Sequence, residues 1–170
     1  VLDVIKPYEE IYKKKIPVIA AGGVFSGKDI ADLIKAGASG VQMATRFVAT
    51  YECDASDEFK KAYINAGSDD IQIIHSPVGM IGRAIKNKFL TDVAAGYKKP
   101  IRCLCNCLKP CNPVKAPYCI ADALINAQSG NLNEGFAFAG TNVHKIKEIV
   151  SVKQLMDELI SETKNHLKDI

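Results

Sequence analysis

The chain has 170 residues, of which 48% are hydrophobic and 24% charged, so it can bury a sizeable core and is not a disordered segment. Its net charge of +3 is small and its lysines are scattered among acidic residues, which argues against nucleic acid as a partner. No apolar run reaches the roughly 18 residues of a membrane span, and the first residues lack a signal-peptide pattern. We therefore expect a cytoplasmic protein with no membrane contact.

The first part of the chain alternates helix and strand patterns. Ser26 and Asp29 fit a capping box that opens a short helix, and Gly37 is its expected stop. Phe59 and Tyr63 share one face of a later helix. The predicted elements are a helix to about Lys14, which Pro7 either kinks or opens at its first turn, a strand over 17–21, the capped helix, a strand over 41–43 and a helix over 54–66.

The second part of the chain is harder to interpret. Prolines and glycines recur at short intervals over 68–118, which predicts loops and short helices. Apolar spacing predicts a helix that starts near Ile120 and ends near Gly130. The clearest helix is the last, capped by Ser151, with apolar residues at spacings of three, four, seven and eight: Val152, Leu155, Met156, Leu159 and Ile160.

Two consecutive predicted strands end in residues that suit a phosphate site. Gly22 and Gly23 end the first strand, and residues 42–45, which begin nineteen residues further on, close the second strand with the small Ala44 and the hydroxylated Thr45. Glycine suits such a site because a phosphate must approach backbone N–H groups closely. A glycine pair after a strand often forms only a tight turn. Together with residues 42–45, however, it favours the phosphate-binding site of a barrel that binds a flavin or a sugar phosphate.

Two parallel strands cannot close a barrel. Parallel strands need both faces covered, so this segment alone leaves apolar edges open. In barrels of this kind the phosphate site is commonly built from the loops after strands seven and eight. The sequence order therefore predicts that the chain is the C-terminal part of a larger barrel, and its start without methionine suggests residues missing upstream.

Several blocks, in their order and spacing, resemble the nitronate monooxygenase family, formerly called 2-nitropropane dioxygenases. The first two are Ile16-Pro-Val-Ile-Ala-Ala-Gly-Gly23 and Gly37-Ala-Ser-Gly-Val-Gln-Met-Ala-Thr-Arg-Phe47. The others are residues 52–54, 76–79 with 83–87, 107–111, 117–119 and 149–158. The resemblance implies an FMN-dependent (β/α)8 TIM barrel of roughly twice this length. Residues 1–66 are then the last β/α units of the FMN-binding barrel, and 67–170 a loop-rich, cysteine-containing extension with C-terminal helices.

The resemblance also implies which residues contact the cofactor. They are Gly23, Gln42, Met43, Ala44 and Thr45, to which Gly22 is added because it would sharpen the same turn. Many relatives have glycine at the position of Ala44, whose methyl group is small enough to leave the backbone N–H accessible. The family's general-base histidine lies before this segment, so no catalytic residue is expected here, and His75, His144 and His166 are expected to be surface or packing residues.

The implied activity is the oxidation of alkyl nitronates with molecular oxygen, in which the flavin carries the chemistry. This chain would supply the flavin-phosphate site and be inactive alone. The alternative from the same barrel family is an FMN-dependent enoyl-ACP reductase using NAD(P)H. A third reading is an inactive, poorly folded fragment. The expected partners are the small-molecule substrate and oxygen, and a homodimer is left open.

Five of the six cysteines fall within residues 103–119: Cys103, Cys105, Cys107, Cys111 and Cys119. The spacing of Cys107 and Cys111 suits zinc or iron, which makes a metal-binding or redox module the hypothesis from a different class. The pattern does not repeat as two Cys-x2-Cys knuckles and no histidine lies nearby. Reduced thiols in a packed loop, without metal, are therefore favoured.

Each of three further polar residues could have either a functional or a structural role. Arg46 suits a phosphate or substrate ligand, but an arginine just past a strand end is more often a salt-bridge partner. Arg83 and Asn87, four residues apart, suit either a shared cleft or a solvated helix face. None of the three is included among the site residues.

Overall fold

A computed structural model describes residues 1–101, 103 and 107–168 as a mixed α/β protein. None of its helices, over that part of the chain, combines the length and the hydrophobicity needed to cross a lipid bilayer. The elements are α1 (Leu2–Tyr12), β1 (Ile19–Ala21), α2 (Gly27–Lys35), β2 (Gly40–Gln42), α3 (Thr45–Val48), α4 (Asp57–Asn65), β3 (Ile71–His75), β4 (Ile81–Ile85), α5 (Lys88–Ala94), α6 (Ile120–Gln128) and α7 (Val152–Leu167).

The chain divides into two compact units. The first unit comprises residues 1–47 and 150–170, and the second comprises 48–149. The sequence predicted a different kind of division, between barrel units that end at residue 66 and an extension that begins at residue 67. That division stays a prediction.

The first unit contains a short parallel sheet. β1 and β2 pair in parallel, with Ile19 opposite Gly40 and Ala21 opposite Gln42. Ala20 is half-buried, whereas Ile19 on the other face is 55% exposed. One face of the sheet is therefore covered and the other is open.

Helices α2 and α7 pack tightly at the start of α2. The backbone N–H of Gly27 donates to Glu162 Oε2 at 2.7 Å, and Thr163 Oγ1 donates to the Gly27 carbonyl at 3.2 Å. A Cβ atom at Gly27 would stand 2.6 Å from the backbone nitrogen of Thr163. The two helix backbones can approach this closely only because residue 27 has no side chain.

The second unit has a core built around a β-hairpin. β3 and β4 pair antiparallel, and Ala84 of β4 bridges to Phe138 on the other side. The core beside the hairpin is aromatic. The centroid of the Phe89 ring lies 5.1 Å from that of the Tyr118 ring and 6.1 Å from that of the Phe136 ring. Such edge and stacked contacts add to the stabilisation from burying these large side chains.

Asn87 and Gly135 join the elements around this core. Asn87 caps α5 by accepting from Leu90 N at 3.0 Å, and its amide nitrogen donates to the carbonyls of Leu132 and Gly135 at 2.9 and 2.7 Å. A Cβ atom at Gly135 would stand 1.9 Å from the Ala123 carbonyl oxygen. The segment around residue 135 is therefore pressed against the backbone of α6.

Most of the predicted helices are confirmed. Ser26 Oγ accepts from Asp29 N at 3.1 Å and the Asp29 carboxylate accepts from Ser26 N at 2.9 Å, which is the predicted capping box. Ser151 caps the last helix as predicted, and α6 ends at Gln128. Pro7 lies inside α1 rather than at its first turn.

Other boundaries were wrong. The helix predicted over 54–66 begins only at Asp57, because Ser56 is its cap and accepts from Phe59 N at 3.2 Å. The strands predicted over 17–21 and 41–43 are shorter or shifted by one residue. The main error was at 71–85, which is the β3–β4 hairpin and not loops and short helices. Gly79, at φ +84°, serves the hairpin turn, so a residue interpreted as a structure breaker forms part of a regular element.

The close approach at Gly135 generates a stability prediction. Replacing Gly135 with Ala places a methyl group against the backbone of α6, which cannot move without disturbing the core, so we expect a loss of about 3 kcal/mol in the free energy of unfolding. Urea unfolding followed by circular dichroism measures it. Gly67→Ala is the control, since its Cβ would meet only the Asp70 side chain, at 3.3 Å. Equal losses in both variants would contradict the packing described.

Tyr63 generates a pH prediction. Its hydroxyl donates to the Phe138 carbonyl at 2.5 Å, and burial, together with the nearby thiol of Cys53, raises its pKa well above the usual value. The folded state then keeps a proton that the unfolded chain releases near pH 10, so this contribution is complete below about pH 10 and is lost as the pH rises. Tyr63→Phe should lose about 1–2 kcal/mol at pH 7, and the gap to the wild type should narrow above about pH 10.

Urea unfolding at a series of pH values checks this. Tyr97→Phe is the matched control because that side chain is 51% exposed. A gap between Tyr63→Phe and the wild type that stays constant up to pH 11 would show that the hydroxyl is not held as described.

Candidate functional site

The residues predicted to bind a phosphate lie at one edge of the parallel sheet. Because Ala21 pairs with Gln42, the chain segments that follow the two strands leave the sheet side by side. Gly22 and Gly23 follow β1, and Met43 follows β2. The structure therefore brings together the two blocks that stand nineteen residues apart in the sequence.

Gly22 and Gly23 both have left-handed backbone conformations, at φ +86° and +76°. Nothing lies within 4 Å of the position that a Cβ atom would take at either residue. Both residues are exposed. This combination leaves room for a ligand close to the backbone, in a conformation that other residues adopt only at a cost of about 1 kcal/mol or more.

The block after β2 contains an element that sequence reasoning missed. Thr45 begins the four-residue helix α3, and the N–H of Phe47 donates to the Ala44 carbonyl at 2.9 Å. Ala44 and Gln42 are exposed, while Met43 and Thr45 are half-buried. A helix this short shows no periodicity, so the only signal was the switch from apolar to small residues after Gln42.

The nearby N-terminus of α2 is already occupied by carboxylates. Asp29 accepts from the N–H groups of Phe25 and Ser26 at 3.0 and 2.9 Å, and Glu162 accepts from Gly27 at 2.7 Å. Phe25 and Ser26 precede α2 and Gly27 is its first residue, so these carboxylates bind N–H groups at the entrance to the helix that could otherwise bind an anion. These three N–H groups are therefore not the ones that the sequence predicts for a phosphate, which are in the glycine pair and in the segment after β2.

Arg46 lies directly after this segment and is a salt-bridge partner. Its guanidinium group contacts the carboxylate of Glu158 in α7, with Nη1 3.0 Å from Oε1. The side chain of Arg46 is only 15% exposed. The interpretation favoured from the sequence is confirmed.

A cavity of about 610 Å³ lies in the first unit, beside β2. Its walls come from α2, β2, α3 and α7, and they are mostly apolar. The apolar lining includes Val41, Met43, Phe47, Met156 and Ile160. Met156 and Ile160 are 39% and 44% exposed, so the predicted apolar face of α7 is covered only in part.

The histidines do not assemble into a site. His75 is exposed at the end of β3, and His144 Nδ1 lies 3.1 Å from the Thr141 carbonyl within its own turn. His166 lies in the last turn of α7. Their expected roles as surface or packing residues stay predictions.

The cysteines do not form a metal site within the described residues, where no group of three His, Cys, Asp or Glu side chains is placed to hold an ion. Cys105 lies outside the described residues. Partial burial, together with the thiols of Cys103, Cys107 and Cys119, raises the pKa of Cys111. A raised pKa leaves less thiolate at neutral pH, which lowers the reactivity of this group.

Arg83 and Asn87 are not on one helix. Arg83 lies in β4 and Asn87 caps α5, so the interpretation as neighbours one helical turn apart was wrong. The glycines of the hairpin, which are uncommon in strands, are the reason why the sequence did not indicate β4. Asn87 instead has a structural role through its three hydrogen bonds.

The model of the nitronate monooxygenase family matches residues 1–162, and the chain belongs to that family. A probable nitronate monooxygenase from Staphylococcus aureus (strain Newman) is 38% identical over 79 residues, which are 46% of this chain and 22% of that protein.

Two solved enzyme structures superpose on most of this chain. FabK from Thermotoga maritima superposes with a TM-score of 0.74 and 28% identity, over 93% of this chain and 47% of that one. A nitroalkane oxidase from Streptomyces ansochromogenes superposes with a TM-score of 0.69 at 22% identity, over 94% and 42%. Both are TIM-barrel enzymes. The chain spans about half the length of these solved relatives and matches about a fifth of the curated one.

Proposed function

We propose that this chain is the C-terminal portion of an FMN-dependent (β/α)8 barrel enzyme that oxidises alkyl nitronates with molecular oxygen. The observation that carries the proposal is the shared sheet edge, where the left-handed glycine pair and residues 42–45 follow neighbouring parallel strands. Membership of the nitronate monooxygenase family supports the reaction class. The general base and the rest of the substrate pocket would come from barrel strands outside these residues, so the chain alone would be inactive.

Exposed apolar surfaces in the first unit support the proposal that the chain is part of a larger barrel. The sheet has two strands, and its open face includes Ile19. The apolar side chains of α1 are also uncovered, with Val4, Tyr8 and Ile11 exposed by 68%, 52% and 71%. Further strands on either side, with their helices, would cover these surfaces and fill the cavity beside β2. Solved relatives have about twice this length and supply enough chain for them.

The residues at the sheet edge fit a phosphate ester. The N–H groups of the Gly22–Gly23 turn and of residues 43–45 would hold the FMN phosphate, because no side chain stands between that turn and the open space. Gln42 is exposed on the same face as Ala21, where an amide can donate or accept a hydrogen bond to the cofactor. When bound, the flavin supplies the redox chemistry, and these residues anchor and orient it.

A glycine variant tests the phosphate site. Gly23→Ala should weaken FMN binding about tenfold or more, since a methyl group would stand where the phosphate approaches the backbone. Titration of flavin fluorescence measures the dissociation constant. Gly96→Ala is a matched control, because Gly96 also has a positive φ, +97°, with nothing within 4 Å, but lies in the second unit.

Both glycine variants should lose similar amounts of stability, about 1 kcal/mol each, from backbone strain. Only Gly23→Ala should change the affinity for FMN. The same affinity in both variants would show that the flavin phosphate does not lie at this turn.

A spectroscopic experiment tests the reaction. The complete parent protein, held without oxygen, should show a flavin spectrum that is bleached by an alkyl nitronate alone. Reduction only by NADPH would instead establish the enoyl-ACP reductase alternative. A purified parent protein with no flavin spectrum, before or after incubation with FMN, would contradict both.

A further inference from the structure

Arg46 makes a network of contacts that joins three segments of the first unit. Its Nη1 and Nη2 atoms donate to the two carboxylate oxygens of Glu158, at 3.0 and 3.2 Å. Nη1 also donates to the carbonyl oxygen of Phe25 at 3.2 Å. The guanidinium carbon lies 4.7 Å from the centroid of the Phe25 ring. One side chain therefore holds the loop after β1, the short helix after β2, and α7.

The two loops that Arg46 joins are those that carry the candidate phosphate residues. Phe25 stands two residues after Gly23, and Arg46 stands directly after Thr45. Planar guanidinium groups suit this task because they bind a carboxylate with two hydrogen bonds and stack on an aromatic ring at the same time. A flexible lysine cannot reproduce that geometry.

The same contacts argue against a direct role in binding an anion. Both hydrogens of Nη1 and one of Nη2 are taken by protein oxygens, and the guanidinium charge faces the carboxylate of Glu158. The Phe25 ring lies against the guanidinium group. Most of the binding capacity of the guanidinium group is thus used within the protein.

We propose that Arg46 is a positioning residue that holds the loop after β1 against the segment after β2, and so sets the preference for FMN over riboflavin. The inference rests on the proposed flavin-phosphate site. Riboflavin has the same ring system without the phosphate, so a change confined to the phosphate site alters FMN affinity and leaves riboflavin affinity unchanged.

The experiment compares Arg46→Met, Arg46→Lys, Glu158→Gln and the Arg46→Met/Glu158→Gln double variant. Lys153→Met is the control, because it removes another salt bridge of α7, with Asp157, on an exposed part of the helix. Two readouts are taken for each protein: amide hydrogen exchange over residues 20–26, measured without flavin, and the dissociation constants of FMN and riboflavin. Circular dichroism establishes that each variant is folded.

Arg46→Met should raise exchange over residues 20–26 and weaken FMN binding about tenfold, with less than about a twofold change for riboflavin. Arg46→Lys should lie between this variant and the wild type. Glu158→Gln should move both readouts in the same direction, and the double variant should be no worse than Arg46→Met, because both changes break one network. Lys153→Met should match the wild type.

Three outcomes overturn the proposal. Unchanged exchange in Arg46→Met would show that the loop does not depend on the guanidinium group. A loss of FMN affinity in Arg46→Met without any effect of Glu158→Gln would identify Arg46 as a direct ligand. Equal losses for FMN and riboflavin would show a general effect on the fold. If the wild-type protein binds no FMN, the proposed flavin site fails, and the exchange measurement alone still decides whether Arg46 positions the loop.

Discussion

The close contact between α2 and α7 at Gly27 is the constraint on which the first unit depends. Residue 27 and residue 162 are far apart in the chain, yet the N–H of Gly27 and the Glu162 carboxylate are 2.7 Å apart. This contact fixes the start of α2, and therefore the direction in which the chain leaves β1. Because a Cβ atom would collide with the backbone of Thr163, no larger residue allows the same approach. The C-terminal helix is thus a structural partner of the loop that carries Gly22 and Gly23.

Charge is distributed unevenly around that loop. Asp29 accepts from the N–H of Ser26, which caps α2, and Glu162 accepts from the N–H of Gly27, its first residue, while Arg46 is paired with Glu158. The two features that most often attract a phosphate, a helix start and an arginine, are therefore used within the protein. The phosphate site that we propose instead uses the backbone, in the left-handed turn after β1 and in the segment after β2. A site of this kind recognises shape and hydrogen-bond geometry more than charge.

Local signals in the sequence predicted local structure well. The Ser26–Asp29 box and the Ser151 cap needed only neighbouring residues, and both are present. The hairpin was missed because Gly82 looked like a breaker, although the Phe138 ring stands 2.5 Å from where its Cβ would be, so glycine is needed within the strand. The carboxylates that bind Gly27 and Arg46 lie more than 100 residues further along the chain, and no sequence periodicity indicates such a contact.

The unpaired edges of the parallel sheet have a consequence for handling the chain. β1 reads Ile-Ala-Ala and β2 reads Gly-Val-Gln, so neither strand carries the charged or proline residues that natural edge strands use to block unwanted pairing. Their length of three residues is the main protection. At high protein concentration strand edges of this composition offer a template for strand addition by other molecules.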